Sequence, residues 1–437
     1  VYNPRKRRAF PISNGMNKLL QIFKVKDLRN KILTVAGLLV VYRLLAAIPI
    51  PGVDAARLQN YFNSNQFLGF LNFFSGGGLS NLSVVMLGVG PYITATIIMQ
   101  LLTIIFPKFK EMYYEEGARG QAKFNRYSRL ITVPLALLQA YGFLQLLTIQ
   151  NVIDRPALFS LIRNVLVITA GSMIALWLGE IISEQKVGNG ISLIILAGII
   201  SRLPNDIALA LATPGILPTT YIGFAVMTVL VVAGVVYLNE GERKIPVAYA
   251  RRVRGMKMYG GAQSYLPLKI NQAGMIPLIF AISVLLFPQF IAQAATVISS
   301  NLALKINAFV TSFLNNHLFY GIFYFALVFI FTYFYTAITF NPEEVAKNLQ
   351  RGGGFVPGIR PGEATAKFFS NIVNRTTFFG ATFLGLIAIL PLIVQQFTKV
   401  QVLNISGTAL LIVVAVALET MRQIDSQLTV REYEGLE

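Results

Sequence analysis

The 437-residue chain contains no cysteine and a single histidine, His317. The first absence excludes disulfides and thiolate metal sites. The second excludes chemistry that needs two imidazoles, the paired-histidine zinc motifs included. Charge is scarce as well: 13 % of residues are Asp, Glu, Lys or Arg, against roughly 25 % in a soluble globular protein. No G-x-x-x-x-G-K-[ST] phosphate loop and no G-x-S-x-G elbow occurs, so neither ATP hydrolysis by the chain itself nor elbow-type ester chemistry is expected. Gly352-Gly353-Gly354 lacks the spacing of a dinucleotide fingerprint, and His317 has no visible nucleophile beside it. Carboxylates inside apolar runs are few. Glu180 and Glu184 lie near the end of one such run, which argues against a proton relay through a membrane. Passage or binding is expected, with no enzymatic activity, no cofactor and no metal.

What is abundant is apolar sequence: 55 % of residues are hydrophobic and mean hydropathy is +0.62. A helix crosses the hydrocarbon core in about 20 apolar residues. Ten such runs occur, at about 32–50, 82–106, 127–149, 158–182, 191–212, 218–239, 272–295, 318–340, 376–397 and 402–420. The 37 basic residues exceed the 19 acidic ones by 18. Thirty of them fall before the first run, in the even-to-odd connections, in the fourth-to-fifth turn and in the tail, and six on the opposite side. Arg43 lies within the first run. By the positive-inside rule both termini are expected in the cytoplasm. Residues 1–15 form a basic extension without a signal-peptide apolar core. They read as a basic arm or a non-native remnant and stay outside the fold argument.

Three irregularities interrupt this pattern. Phe67–Phe74 is apolar but too short to span, and runs into Ser75-Gly76-Gly77-Gly78. It reads either as a re-entrant piece sheltered by protein or as an apolar external loop. Gly188-Asn189-Gly190 abuts the fifth run, and Gly88-Val89-Gly90-Pro91 lies early in the second. Both are expected to loosen or kink helices, or to let helices pack closely. Thr94, Gln100 and Asn271 are polar residues in or at the ends of apolar helices, and should face other helices. Such residues either tie helices together or line a path. The connections after the sixth and eighth runs, about 31 and 35 residues, are longer and more basic than packing requires, and suit an acidic partner such as RNA phosphate, lipid head groups or an acidic protein face.

Ordered motifs across the chain carry a resemblance. They are Val41-Tyr42-Arg43-Leu44, Ile48-Pro49-Ile50-Pro51-Gly52-Val53-Asp54, Phe74-Ser75-Gly76-Gly77-Gly78-Leu79-Ser80, Gly90-Pro91-Tyr92-Ile93, Gln100-Leu101-Leu102, Trp177-Leu178-Gly179-Glu180, Gly188-Asn189-Gly190-Ile191-Ser192, Leu266-Pro267-Leu268-Lys269-Ile270-Asn271, Phe340-Asn341-Pro342 and Phe355-Val356-Pro357-Gly358-Ile359-Arg360-Pro361-Gly362-Glu363. From about Met16 to the tenth run the chain resembles the SecY family, the channel subunits of the bacterial Sec protein translocase.

The resemblance implies an all-α polytopic membrane protein of ten transmembrane helices, in two inverted, pseudo-symmetric five-helix halves around a central pore. Residues 16–212 would be one half and 213–425 the other, hinged at the fifth-to-sixth connection. Long loops at about 240–271 and 341–375 and a tail at 426–437 would be cytoplasmic. On spacing alone Val89, Ile93, Ile191, Ile195, Ile279 and Ile412 are ordinary packing residues; the resemblance makes them a pore ring. An uncharged ring closes around any peptide and still excludes ions. Val89 would leave it slightly loose, because isoleucine is frequent there. The short apolar piece becomes a plug, 67–80, with Phe70, Phe73, Phe74, Ser75, Gly76, Gly77, Gly78, Leu79 and Ser80. Thr94, Gln100 and Asn271 fall on the lateral gate, where a signal sequence would replace their mutual hydrogen bonds, each contributing about 1 kcal/mol.

The two basic loops would receive the ribosome, rRNA included, or the SecA motor. Arg360 leads, followed by Arg243, Lys244, Arg251, Arg252, Arg254 and Lys257. Met256 and Gly260-Gly261 depart from the commoner pattern of that loop. SecE, SecG, signal sequences, nascent secretory chains and membrane lipids complete the implied partners, in a bacterial inner membrane. The rival reading, a secondary transporter of a small solute, needs a polar midplane pocket, for which few residues are on offer.

Overall fold

The computed structural model describes residues 25–51, 78–79, 82–114, 116–149, 152–154, 156–212, 218–249, 252–254, 257–259, 263–274, 276–298, 305–306, 308–310, 312–313, 316–398 and 401–434. Among the described residues, ten long helices coincide with the ten apolar runs: α1 (Lys26–Ala47), α2 (Gly90–Ile105), α4 (Gly117–Ile149), α5 (Leu158–Glu184), α6 (Gly190–Ala212), α7 (Pro218–Glu240), α8 (Ile276–Ile298), α9 (His317–Thr339), α11 (Glu363–Thr398) and α12 (Gln401–Glu434). Two short described helices, α3 (Pro107–Tyr114) and α10 (Pro342–Arg351), lie outside those runs. Among the described residues, five segments are long and apolar enough to cross a membrane: Lys26–Ala47, Leu158–Glu184, Tyr221–Glu240, Leu318–Arg351 and Glu363–Leu390. Gly90–Thr103 followed by Pro107–Tyr113 makes a sixth, bent by 112°. Large apolar side chains such as Leu166, Val229, Leu230, Phe319 and Ile322 face outward while the interior is equally apolar. Helices that are hydrophobic all round are those that water does not surround. The protein is an all-α, multi-pass membrane protein.

Three boundaries differ from the sequence reading. Residues 82–89 are turns, and α2 begins only at Gly90 with Pro91 in its first turn. There the missing proline N–H costs nothing, so Pro91 starts a helix and does not kink one. His317, just outside the eighth apolar run, opens α9: Asn316 accepts from the Phe319 N–H and caps the helix. The two long connections are built elements. The first holds strands β1 (Glu242–Tyr249), β2 (Arg252–Arg254), β3 (Lys257–Tyr259) and β4 (Gln263–Lys269). Between α9 and the membrane part of α11 come α10, strand β5 (Gly354–Phe355) and the first turns of α11.

Strands β1 and β4 are antiparallel from Glu242 opposite Lys269 to Ala248 opposite Gln263. The other edge of β1 takes β5, with Ala248 opposite Phe355, giving the order β4-β1-β5. Alternation along β1 buries Ile245 and Val247. Ile245 joins Leu268, Ala346, Val356, Ala366 and Phe369 in a small core separate from the membrane core. The two connections therefore form one platform.

Helix pairing repeats at an interval of five crossings. The α2–α4, α4–α5 and α5–α6 contacts in the first five correspond to α8–α9, α9–α11 and α11–α12 in the second, and α1–α5 and α1–α6 to α7–α11 and α7–α12. The two sets meet through α6–α12, α4–α8 and α2–α8. At the corner of α3 and α4, Tyr113 meets Phe124 edge-on at 4.8 Å and Lys123 pairs with Glu116 at 2.8 Å. That carboxylate raises the Lys123 ammonium above the usual lysine range.

Candidate functional site

Six aliphatic side chains, Val89, Ile93, Ile191, Ile195, Ile279 and Ile412, lie on or at the start of α2, α6, α8 and α12, which supply two of the contacts between the two helix sets, α2–α8 and α6–α12. Val89 caps α2 and lies one turn from Ile93, whose N–H donates to its carbonyl at 3.1 Å. Ile191 and Ile195 hold the same four-residue spacing on the first turns of α6. Ile279 lies in α8 and Ile412 in α12. Val89, Ile93, Ile195 and Ile412 are buried, and Ile191 and Ile279 are half-buried against the same apolar cluster. The arrangement offers no charge or free hydrogen-bond group to an ion, and burial of such a cluster keeps water out.

The start of α6 is fixed locally. Asn189 Oδ1 accepts from the N–H groups of Ile191 at 3.1 Å and Ser192 at 3.2 Å, a side-chain cap. Gly190 lies so close to α5 that a Cβ would collide with the carbonyl oxygen of Gly179. Close packing, one of the two readings of Gly188-Asn189-Gly190, is what the motif does here.

Of the expected plug, Gly78 and Leu79 are described; Phe70, Phe73, Phe74, Ser75, Gly76, Gly77 and Ser80 lie outside the described residues. The turns at 82–89 are pinned on both sides. Ser83 bonds the Gly78 carbonyl through its N–H at 3.0 Å and its hydroxyl at 2.9 Å. Ile50 donates to Leu82 and Val84 donates to Ile48, tying the stretch to the end of α1. On the far side Ser172 of α5 donates to the Gly88 carbonyl at 3.0 Å, and Gly171 lets the Val84 carbonyl approach where any side chain would collide. Sequence reasoning missed Gly171 and Ser172, whose partners are far away in the chain.

The three polar residues assigned to the gate do not bond to one another. Thr94 is buried and donates to Gly90 of its own helix at 3.1 Å. Gln100 has a buried Oε1 without a partner. Asn271 bonds Asn239, at the end of α7, at 2.9 Å. The expectation of mutual hydrogen bonds is corrected: within an apolar helix a threonine satisfies itself on the preceding turn, and Asn271 precedes α8, beside α7. The seam between α2 and α8 is sparse. Helix α8 packs mainly on α4 and α9, where Phe280 meets Phe331 and Tyr335 edge-on at 6.0 and 6.3 Å. Glu180, scarce as a carboxylate near an apolar run, pairs with Arg129 of α4 at 2.6 Å.

Three of the seven basic residues, Arg243, Lys244 and Arg360, have described side chains, and all three are exposed on the platform. Arg243 and Lys244 are exposed on β1. The backbones of Arg252, Arg254 and Lys257 form the β2–β3 hairpin, with Arg254 opposite Lys257. Arg251 lies outside the described residues. Arg360 is exposed on a tight turn between Gly358 and Gly362, both at positive φ, where a side chain would strain the backbone. Buried Val356 and half-buried Ile359 root the turn in the platform core, and Thr365 donates to the Arg360 carbonyl at 2.8 Å. Among the described residues no group of three or more His, Asp or Glu side chains could hold a metal.

The SecY family model matches residues 83–421 of the chain. The protein translocase subunit SecY of Mycobacterium tuberculosis is 41 % identical, over 96 % of this chain and 99 % of its own. That of Streptomyces coelicolor is 42 % identical, over 94 % and 98 %. Among solved structures, a protein conducting channel superposes with a TM-score of 0.60 at 19 % identity, over 89 % of this chain and 90 % of that one. Sec61 in the canine ribosome-channel complex superposes with a TM-score of 0.57 at 18 % identity, over 89 % and 90 %.

Proposed function

The chain belongs to the SecY family of protein translocase subunits, and from that premise we propose that Val89, Ile93, Ile191, Ile195, Ile279 and Ile412 form the constriction through which polypeptides pass. The protein is a protein-conducting channel subunit and not an enzyme. Its two five-helix sets are halves of a clamshell, 16–212 and 213–425, and the five-crossing repeat in helix pairing supports this. Unfolded secretory chains pass through the waist, and transmembrane segments leave sideways between α2 and α8. The sparse contact along that seam supports it as the exit. The stretch from Phe70 to Ser80 closes the outer funnel at rest, rooted by the bonds around Ser83 and Ser172.

The ribosome and the SecA ATPase dock on the platform, with Arg360, Arg243, Lys244, Arg251, Arg252, Arg254 and Lys257 as contacts to phosphate or carboxylate. SecE and SecG complete the heterotrimer. The membrane is the bacterial inner membrane, with the platform and both termini in the cytoplasm.

The observation that carries the reading is the family membership, with four of the six aliphatic side chains buried in one apolar cluster and Ile191 and Ile279 packed against it. Its test is a photo-crosslinking amino acid at Ile191 with a secretory nascent chain stalled in the complex. Adducts to that chain, absent from lipid-facing Val229, are expected. Efficient targeting without adducts would return Ile191 to plain packing and reopen the solute-transporter reading.

A further inference from the structure

The last two residues of α7 join parts of the chain that are far apart in sequence. Asn271 stands between β4 and α8, and its Nδ2 uses both hydrogens. One goes to Asn239 Oδ1 at 2.9 Å and the other to the Gly274 carbonyl at 3.0 Å. The first ties the turn before α8 to the end of α7; the second closes that turn. Asn239 is gripped from the other side by α12. Arg422 Nη2 donates to the Asn239 main-chain carbonyl, and Nε and Nη2 reach Glu240 Oε1 at 3.1 and 2.9 Å. Both asparagines are buried, while the Arg422–Glu240 pair lies at the rim.

The hairpin grows from this joint. β1 starts two residues after Glu240, β4 ends two residues before Asn271, and the Ile270 N–H donates to the Gly241 carbonyl at 2.9 Å just below the first paired residues. A load that tilts the hairpin shifts Asn239 against Asn271. The other amide atom of Asn271, Oδ1, is buried without a partner, so the amide holds α7 through one side-chain hydrogen bond. One bond of that kind can break and re-form, as a latch must.

We propose that Asn239 is a positioning residue for the gate: held by Arg422 and Glu240, it latches Asn271 and so keeps the start of α8 at rest until a load on the β1–β4 hairpin releases it. This rests on reading the α2–α8 seam as the exit. It adds a residue outside the seam that sets how readily the seam opens.

The test uses the full chain in its membrane-embedded translocase. Export of a precursor with a weakened signal sequence is measured beside that of an intact precursor. Asn239→Leu removes the acceptor. It is expected to raise weak-signal export about fivefold, as loss of one buried hydrogen bond holding a closed state would, with intact-precursor export little changed. Asn239→Asp keeps an acceptor for Asn271 and is expected to restore the wild-type ratio. Arg422→Gln leaves Asn239 in place but loosens it, and should act in the same direction more weakly, which serves if the leucine variant fails to accumulate.

Equal export by Asn239→Leu and wild type, with Asn271→Leu raised, would overturn the latch and leave the gate standing. Wild-type behaviour of Asn271→Leu as well would remove the gate reading itself. An aspartate variant that behaves like the leucine one would reduce Asn239 to packing, and an unchanged Arg422→Gln would overturn the role of α12.

Discussion

Ala248 of β1 and Phe355 of β5 stand opposite each other in one antiparallel pair, although α8 and α9 lie between them in the chain. This pairing joins the two basic connections into a single platform, with Phe369 fully buried in its core. If a partner docks on Arg360, the shared sheet and core would also load the strands that lead to Asn239 and Asn271.

If the platform is one body, Phe369→Ala should loosen both connections together. Deleting a buried phenylalanine costs about 3–5 kcal/mol, more than so small a core can absorb. Limited proteolysis of membranes is expected to cut near 250–262 and near 356–362 in parallel, while the membrane helices stay protected. Cleavage confined to one connection would show that the two are independent.

Arg360→Glu should cripple SecA-dependent export while the protein remains inserted. A charge-assisted hydrogen bond is worth about 1.5–3 kcal/mol, so the motor should bind at least tenfold more weakly. Normal export would sink the assignment. Thr365→Val, which loses the bond to the Arg360 carbonyl, should act in the same direction, with Thr365→Ser restoring export.

Gly190→Ala and Gly171→Ala each drive a methyl group into a backbone carbonyl, of Gly179 and Val84 respectively. Overpacking of this kind costs about 1–3 kcal/mol. Both variants should lower the thermal midpoint of the purified complex. If the stretch before Ser83 seals the channel, Gly171→Ala should in addition raise resting ion leak, since it displaces the Val84 turn that follows that stretch. An unchanged leak with a lowered midpoint would detach Gly171 from sealing.

Deleting Phe70–Ser80 should raise resting conductance in planar bilayers without abolishing export. Removing only the Ser172 anchor, by Ser172→Ala, should raise it less. A conductance equal to wild type after the deletion would remove the plug assignment.

Binding to ribosomes should weaken steeply with salt, because phosphate contacts release counterions. The slope should flatten when Arg243 and Lys244 are neutralised. A slope indifferent to that change would place the phosphate contacts elsewhere.

Much of this protein was legible in one dimension. Hydrophobic runs fix helices, since a segment in lipid must satisfy its own backbone, and ten runs became ten helices. Val89, Ile93, Ile191 and Ile195 stood out through the family's ordered motifs, whereas spacing alone left them as ordinary packing residues. The tertiary structure alone decided the rest. The partner of Asn271 is Asn239 and not a gate neighbour, and Gly171 is small because Val84 crosses it. Two loops far apart in sequence share one sheet because β1 has two edges. Periodicity reports which way a residue faces, whereas a hydrogen bond or a close approach depends on which distant element packing brings there. That information resides in no local stretch of sequence.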